Sequence, residues 1–150
     1  MEIKRYTKNE IDDVINFELD LRKEETFWGW TINSEYKENV KNSFDDIRFE
    51  NSVSLLAYID GKVVGRIDSS LICSHFDGTI KAYLDWICVL KSYRHRKIAQ
   101  ELLAELRKIL KNEYKVDTLI ALMARNYEAQ KFYRSIENAD VHDEGIWIEC

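Results

Sequence analysis

Residues 85–103 run Asp-Trp-Ile-Cys-Val-Leu-Lys-Ser-Tyr-Arg-His-Arg-Lys-Ile-Ala-Gln-Glu-Leu-Leu. The first third is apolar and β-prone, the middle is cationic, and the last third carries apolar residues at helical spacing. A strand that feeds through a basic turn into a helix start is physically an anion site. The first N–H groups of a helix lack intrahelical partners, and the macrodipole puts partial positive charge there. Arg94, Arg96 and Lys97 add mobile charge to that end. Asp85 is an acid inside an apolar strand, and alternation puts it on the face of Tyr83 and Ile87. The plainer readings are a solvated basic turn and a strand-end carboxylate that faces water or a basic neighbour.

Other reactive residue types form no such pattern. His75, His95 and His142 are scattered, with no Ser or Cys partner and no ligand spacing, so no metal site is expected. Cys73, Cys88 and Cys150 are odd in number and lack metal-like spacing, which suits free thiols in a reducing cytosol. Cys88 reads as a small buried apolar residue.

The elements that position these residues follow from periodicity. Residues 2–6 make a short strand. Residues 9–24 place Ile11, Val14, Ile15 and Leu19 on one helical face, with Asp12, Asp13, Glu18 and Asp20 elsewhere. Thr7 or Asn9 is available as a cap. An aromatic loop follows, Thr26-Phe27-Trp28-Gly29-Trp30-Thr31, flanked by Asp20, Glu24 and Glu25. A second helix spans about 33–47, with Tyr36, Val40, Phe44 and Ile47 inward. Residues 52–59 and 62–73 are strands joined at Asp60-Gly61, a strong hairpin signal, and a third strand covers about 80–89. The three form an antiparallel meander. A third helix runs from about 97 to 112 on a stripe of Ile98, Leu102, Leu103, Leu106, Ile109 and Leu110. Asp117–Ala124 is an apolar run expected to be a strand covered on both faces. Asn126 starts a last helix with Ala129, Phe132, Tyr133 and Ile136 inward, and 145–150 is a final strand. The order is β-α-α-β-β-β-α-β-α-β, an α+β (α/β sandwich) fold whose mixed, mostly antiparallel sheet is flanked by helices.

The whole chain of 150 residues reads as one domain, 1–150, with a sizeable core. No run reaches about 18 apolar residues, so no membrane span or membrane partner is expected. The N-terminus lacks an apolar export core, and a cytoplasmic location is expected. A net charge of −5 disfavours nucleic-acid binding across the surface, yet allows a local basic site for an anionic cofactor and acidic surface for a cationic partner. A homodimer is left open.

Residues 80–136 resemble the GNAT superfamily of acetyl-coenzyme-A-dependent N-acetyltransferases. Its signature, Gln or Arg, two residues, Gly, one residue, then Gly or Ala, matches Arg94 and Ala99, with Ile98 between. Val89 and the Tyr93-Arg94 pair also suit it. A second motif, Asn-x-x-Ala-x-x-Phe-Tyr, is met by Asn126, Ala129, Phe132 and Tyr133. Two departures stand out: Lys97 replaces the motif Gly, and Ser135-Ile136-Glu137-Asn138 stands where Gly-Phe often follows.

The resemblance implies acetyl-CoA as co-substrate. Backbone N–H groups of His95, Arg96, Lys97, Ile98 and Ala99 would cradle its pyrophosphate, with Arg96 or Lys97 reaching the ribose phosphate. The backbone of Ile87, Cys88 and Val89 would hold the pantetheine arm where the fourth and fifth strands splay. Acetyl transfer needs a neutral amine, a polarised carbonyl and a stabilised thiolate. The resemblance puts Tyr133 near the sulfur as general acid, and a backbone N–H near Cys88 or Val89 on the carbonyl. Asp85 is the candidate base, with Glu25 and Asp68 as lesser candidates. The Trp28 and Trp30 loop, with Asp20, Glu24 and Glu25, would suit a cationic amine or simply plug the core. The implied function is acetylation of a small primary amine, aminoglycoside-, polyamine- or amino-acid-like, by direct transfer. A peptide or protein acceptor, a non-catalytic acyl-CoA sensor or interaction module, and a nucleic-acid binder using Arg94–Lys97 are the alternatives.

Overall fold

The computed structural model describes residues 1–26, 29–142, 145–146 and 148–149; Phe27, Trp28, Asp143, Glu144, Trp147 and Cys150 lie outside them. Two compact units are present, Met1–Ile120 and Ala121–Cys150.

In the first unit, β1 (Glu2–Arg5), β2 (Ser52–Ile59), β3 (Lys62–Cys73) and β4 (Ile80–Val89) pair antiparallel in sequence order. The turn between β2 and β3 is built as its Asp-Gly dipeptide demands. Asp60 and Gly61 take φ of 51° and 75°, the mirror-image turn whose twist matches the flanking strands. The helix α3 (Ile98–Glu113) follows β4, and the chain then enters β5 (Leu119–Ala121) beside β4, tied by Ala82 N–H to Thr118 O at 2.9 Å.

One face of the sheet carries Leu55, Ala57, Gly65, Ile67, Ile87 and Val89, and α3 packs on it through its six-residue apolar stripe, all buried as the spacing predicts. Gly65 makes the close approach possible. A Cβ there would sit 3.0 Å from Ile98 Cγ2 and 3.2 Å from Leu102 Cδ1. Burial of each such Leu or Ile contributes about 1.5–3 kcal/mol. The opposite face carries Leu56, Arg66 and Asp68, and α1 (Ile11–Glu24) lies over it with Val14, Phe17 and Leu21 buried. A 3₁₀ turn at Lys8–Glu10 leads into α1, and there Thr7 and Glu10 form a capping box.

Several expectations are corrected. Leu19 is exposed, while Glu18 is 1 % exposed, because Arg22 and Arg66 neutralise it inside the layer. The helix α2 (Ser34–Ser43) ends early. Asp46 accepts the Arg48 N–H and starts a separate 3₁₀ turn at Ile47–Phe49, so Ile47 leaves the helical stripe and is exposed. Tyr36 and Val40 are half-buried, and Phe44 sits edge-on to Tyr6 with centroids 5.0 Å apart. As an edge strand, β5 is shorter than expected, and Ile120 is exposed rather than covered. In the second unit, α4 (Tyr127–Arg134) is capped by Asn126, and its Ala129, Phe132 and Tyr133 are half-buried. The described tail residues, Gly145, Ile146, Ile148 and Glu149, form no strand; Trp147 and Cys150 lie outside the description.

Candidate active site

β4 leaves the sheet through a tight basic turn. Leu90 N–H donates to Val64 O at 3.0 Å, and a 3₁₀ turn at Lys91–Tyr93 follows. His95 and Lys97 both take φ of 64°, and α3 starts at Ile98 with no side-chain cap. Lys97 is left-handed and Ile98 right-handed, so successive N–H groups converge in the manner of an anion nest. Arg96 and Lys97 in this turn are exposed cations. The donor set therefore fits a phosphate ester. It also explains the motif Gly, since the position demands a positive φ.

Arg94 is used differently. Its guanidinium pairs with Glu25 at 3.0 and 2.5 Å, and its Nε donates to Val89 O at 3.2 Å. Ser92 meanwhile donates to Glu24, from Oγ at 2.6 Å and from N–H at 3.3 Å. The end of α1 is thus clamped to the basic turn by two adjacent carboxylates. The Arg94 backbone N–H donates to Lys91 O at 3.3 Å, closing the 3₁₀ turn. Arg96 donates to Ser92 O at 3.4 Å and stacks over Tyr93.

A β-bulge shapes the middle of β4. Asp68 faces Trp86 and Ser69 faces Leu84, so Asp85 is the extra residue. The bulge breaks the expected alternation. Asp85 accepts from Ser70 Oγ at 2.5 Å on the face of Tyr83, whereas Ile87 lies opposite Ile67 on the α3 face. Asp85 is exposed, and partial desolvation lifts its carboxyl above the ordinary range, while the Ser70 hydroxyl opposes this and the Asp68 charge adds to it. Cys88 is buried, and that burial pushes its thiol up to about 12, so it stays protonated at neutral pH.

Next to the bulge, Trp86 meets Trp30 edge-to-face with centroids 4.5 Å apart. Arg22 holds Trp30 in place: its Nε donates to Trp30 O at 3.0 Å, and its guanidinium lies 5.1 Å from the ring centroid. Arg22 also pairs with Glu18 at 2.8 Å. Glu18 reaches Arg66 at 3.2 Å, and Arg66 pairs with Asp68 at 2.7 Å, where Ser54 also donates. Burial works against the Arg66 charge, but Asp68 and Glu18 outweigh it and hold its pKa above the ordinary value. The lesser base candidates Asp68 and Glu25 are thus engaged with arginines, and Asp20 pairs with Lys23 and Lys62. Trp28 lies outside the described residues.

The family model for acetyltransferases of the GNAT family matches residues 16–136. The chain belongs to the GNAT family.

The GNAT fold is shared with solved structures at low identity. An aminoglycoside acetyltransferase, meta-AAC0020, from an uncultured soil metagenomic sample in complex with sisomicin superposes with a TM-score of 0.82 at 15 % identity, covering 99 % of this chain and 95 % of that one. Aminoglycoside antibiotic 6'-N-acetyltransferase AAC(6')-IG from Acinetobacter haemolyticus gives 0.75 at 16 % identity, with 100 % and 98 % covered. The ribosomal-protein-alanine N-acetyltransferase of Brucella melitensis biovar Abortus 2308 gives 0.72 at 17 %, with 99 % and 100 % covered. A search of curated proteins returns no match.

The GNAT motif residues of the second unit are described within it. Asn126 Oδ1 accepts the Ala129 N–H at 2.8 Å, so this side chain caps α4. Tyr133 packs edge-on against Phe132 with centroids 5.2 Å apart. Sequence reasoning missed Glu18, Arg22, Arg66 and Ser70. A signal existed for three of them: Glu18 and Arg22 are four apart on a helix whose neighbours are apolar, and Arg66 interrupts the apolar run Val63–Ile67. No helix among the described residues is long and apolar enough to cross a membrane.

Proposed function

We propose that this single GNAT domain, residues 1–150, moves an acetyl group from acetyl-CoA to the primary amine of a small molecule by direct transfer. The observation that carries this reading is the left-handed basic turn at Lys97 opening α3 directly after the bulged strand β4. The N–H groups of His95 to Ala99 hold the pyrophosphate, and Arg96 and Lys97 supply charge for the ribose phosphate. The backbone of Ile87, Cys88 and Val89 holds the pantetheine arm. Acetyl-CoA supplies a thioester carbonyl carbon, at which a C–N bond replaces the C–S bond. Asp85 takes the amine proton, directly or through water; its raised pKa makes it the stronger base. An N–H near Cys88 or Val89 holds the carbonyl oxygen. Tyr133 gives its proton to the departing sulfur, a role that rests on its place in the motif. The protonated, buried Cys88 favours direct transfer over an acyl-cysteine route.

Acetyl-CoA should raise the Tm, as any ligand of the folded state does, and thiol should be released with an amine panel. Tyr133→Phe should lower turnover far more than acetyl-CoA affinity. Unchanged turnover in that variant refutes its role as acid. Stabilisation by acetyl-CoA without thiol release from any amine would move the chain to a non-catalytic acyl-CoA binder.

A further inference from the structure

Resting on that reading, we infer that the acceptor is a monocationic primary amine with a flat apolar body, held by the Trp30 indole and the Asp85 carboxylate, and not a polycation. The bulge turns Asp85 and Trp86 toward one side of the sheet, and Trp30 touches Trp86 there. Trp30 is 39 % exposed, a large apolar surface beside a carboxylate whose partner is the neutral Ser70 hydroxyl.

Charge around this wall decides between amine classes. Glu18 and Asp68 are matched by Arg22 and Arg66. Asp20 is held by Lys23 and Lys62, Glu25 by Arg94, and Glu24 by Ser92. Among these described carboxylates, Glu24 and Asp85 are held by neutral hydroxyls rather than by cations; Asp85 is the one beside Trp86, and it suits one ammonium group. A second positive group would approach Arg22, whose guanidinium already occupies the Trp30 ring at 5.1 Å. Two cations brought close together there repel. With that cation in place, the ring offers hydrocarbon surface for a flat body rather than a second cation–π site.

The test is thiol release from acetyl-CoA with 2-phenylethylamine, spermidine and kanamycin as acceptors, in wild type and Trp30→Ala. The expected result is kcat/KM for 2-phenylethylamine at least about tenfold above either polycation, with Trp30→Ala raising its KM by about tenfold. The KM for acetyl-CoA should not move. Preferential turnover of spermidine or kanamycin, or an unmoved KM for 2-phenylethylamine in Trp30→Ala, overturns the class and leaves acetyl transfer standing. Absence of thiol release with these three amines and with the wider amine panel overturns both. The wild-type ranking decides alone if Trp30→Ala does not fold.

Discussion

Lys97 holds φ 64° and ψ 11° at the residue that opens α3. A side-chain-bearing residue in that left-handed basin costs about 1–2 kcal/mol. A cation exposed at a helix N-terminus adds about 0.3 kcal/mol. Glycine removes both, and the greater freedom it gives the unfolded chain offsets roughly 0.5–1 kcal/mol of that gain. Lys97→Gly should therefore stabilise the fold by about 1 kcal/mol, a rise in Tm of about 2–4 °C for a chain this long. Lys97→Ala is the control. It drops the charge and keeps the strained backbone, so it should stay within about 0.5 kcal/mol of wild type. Both melts are read by calorimetry without ligand, at moderate salt. A Tm for Lys97→Gly at or below that of Lys97→Ala would refute the claim that the backbone at this position is under strain.

Four further outcomes are expected. Asp85→Asn should cut turnover most at low pH, where more amine is protonated, and recover as pH rises; a pH profile of unchanged shape would exclude Asp85 as base. The same variant should raise Tm at neutral pH. The folded pKa of Asp85 is raised, so its ionisation opposes folding as pH climbs through that value, and the gain should vanish below the ordinary carboxylate range. Glu18→Ala leaves Arg22 without its carboxylate partner in the layer under α1, and Arg66 with Asp68 alone, and should cost about 3–5 kcal/mol by urea unfolding; a loss under about 1 kcal/mol would show that the network does not hold α1 on the sheet. Gly65→Val overpacks Ile98 and Leu102 and should cost about 1–3 kcal/mol, while also weakening stabilisation by acetyl-CoA because the first turn of α3 shifts. Retained stability and ligand response would mean that α3 has room there.

The meander, the Asp60-Gly61 turn and the α3 stripe were legible because each is a local signal. Two φ-positive residues specify one hairpin, and six apolar residues at helical spacing specify one buried face. Burial of Glu18 was not, because helical periodicity ranks a carboxylate as surface unless its partners are known. One partner, Arg66, lies 48 positions along the chain. The exit of Ile47 from its stripe depends on a single Asp46–Arg48 contact that starts a new turn. At the basic turn before α3 the motif was readable, yet the side chain of Arg94 was not. Its choice of Glu25 depends on where α1 ends, which is a tertiary fact.

The extra residue in β4 has a consequence for how the proposed acceptor wall is assembled. In a regular ladder, neighbours 85 and 86 would point to opposite sides, and a carboxylate next to an indole would have to be recruited from a loop. Here two consecutive peptide units deliver both from one rigid strand, with Ser70 on the next strand holding the acid in orientation. Asp85 and Trp86 therefore have little rotamer entropy left to surrender when a reactant docks, so their share of the orienting cost is met at folding rather than at each turnover.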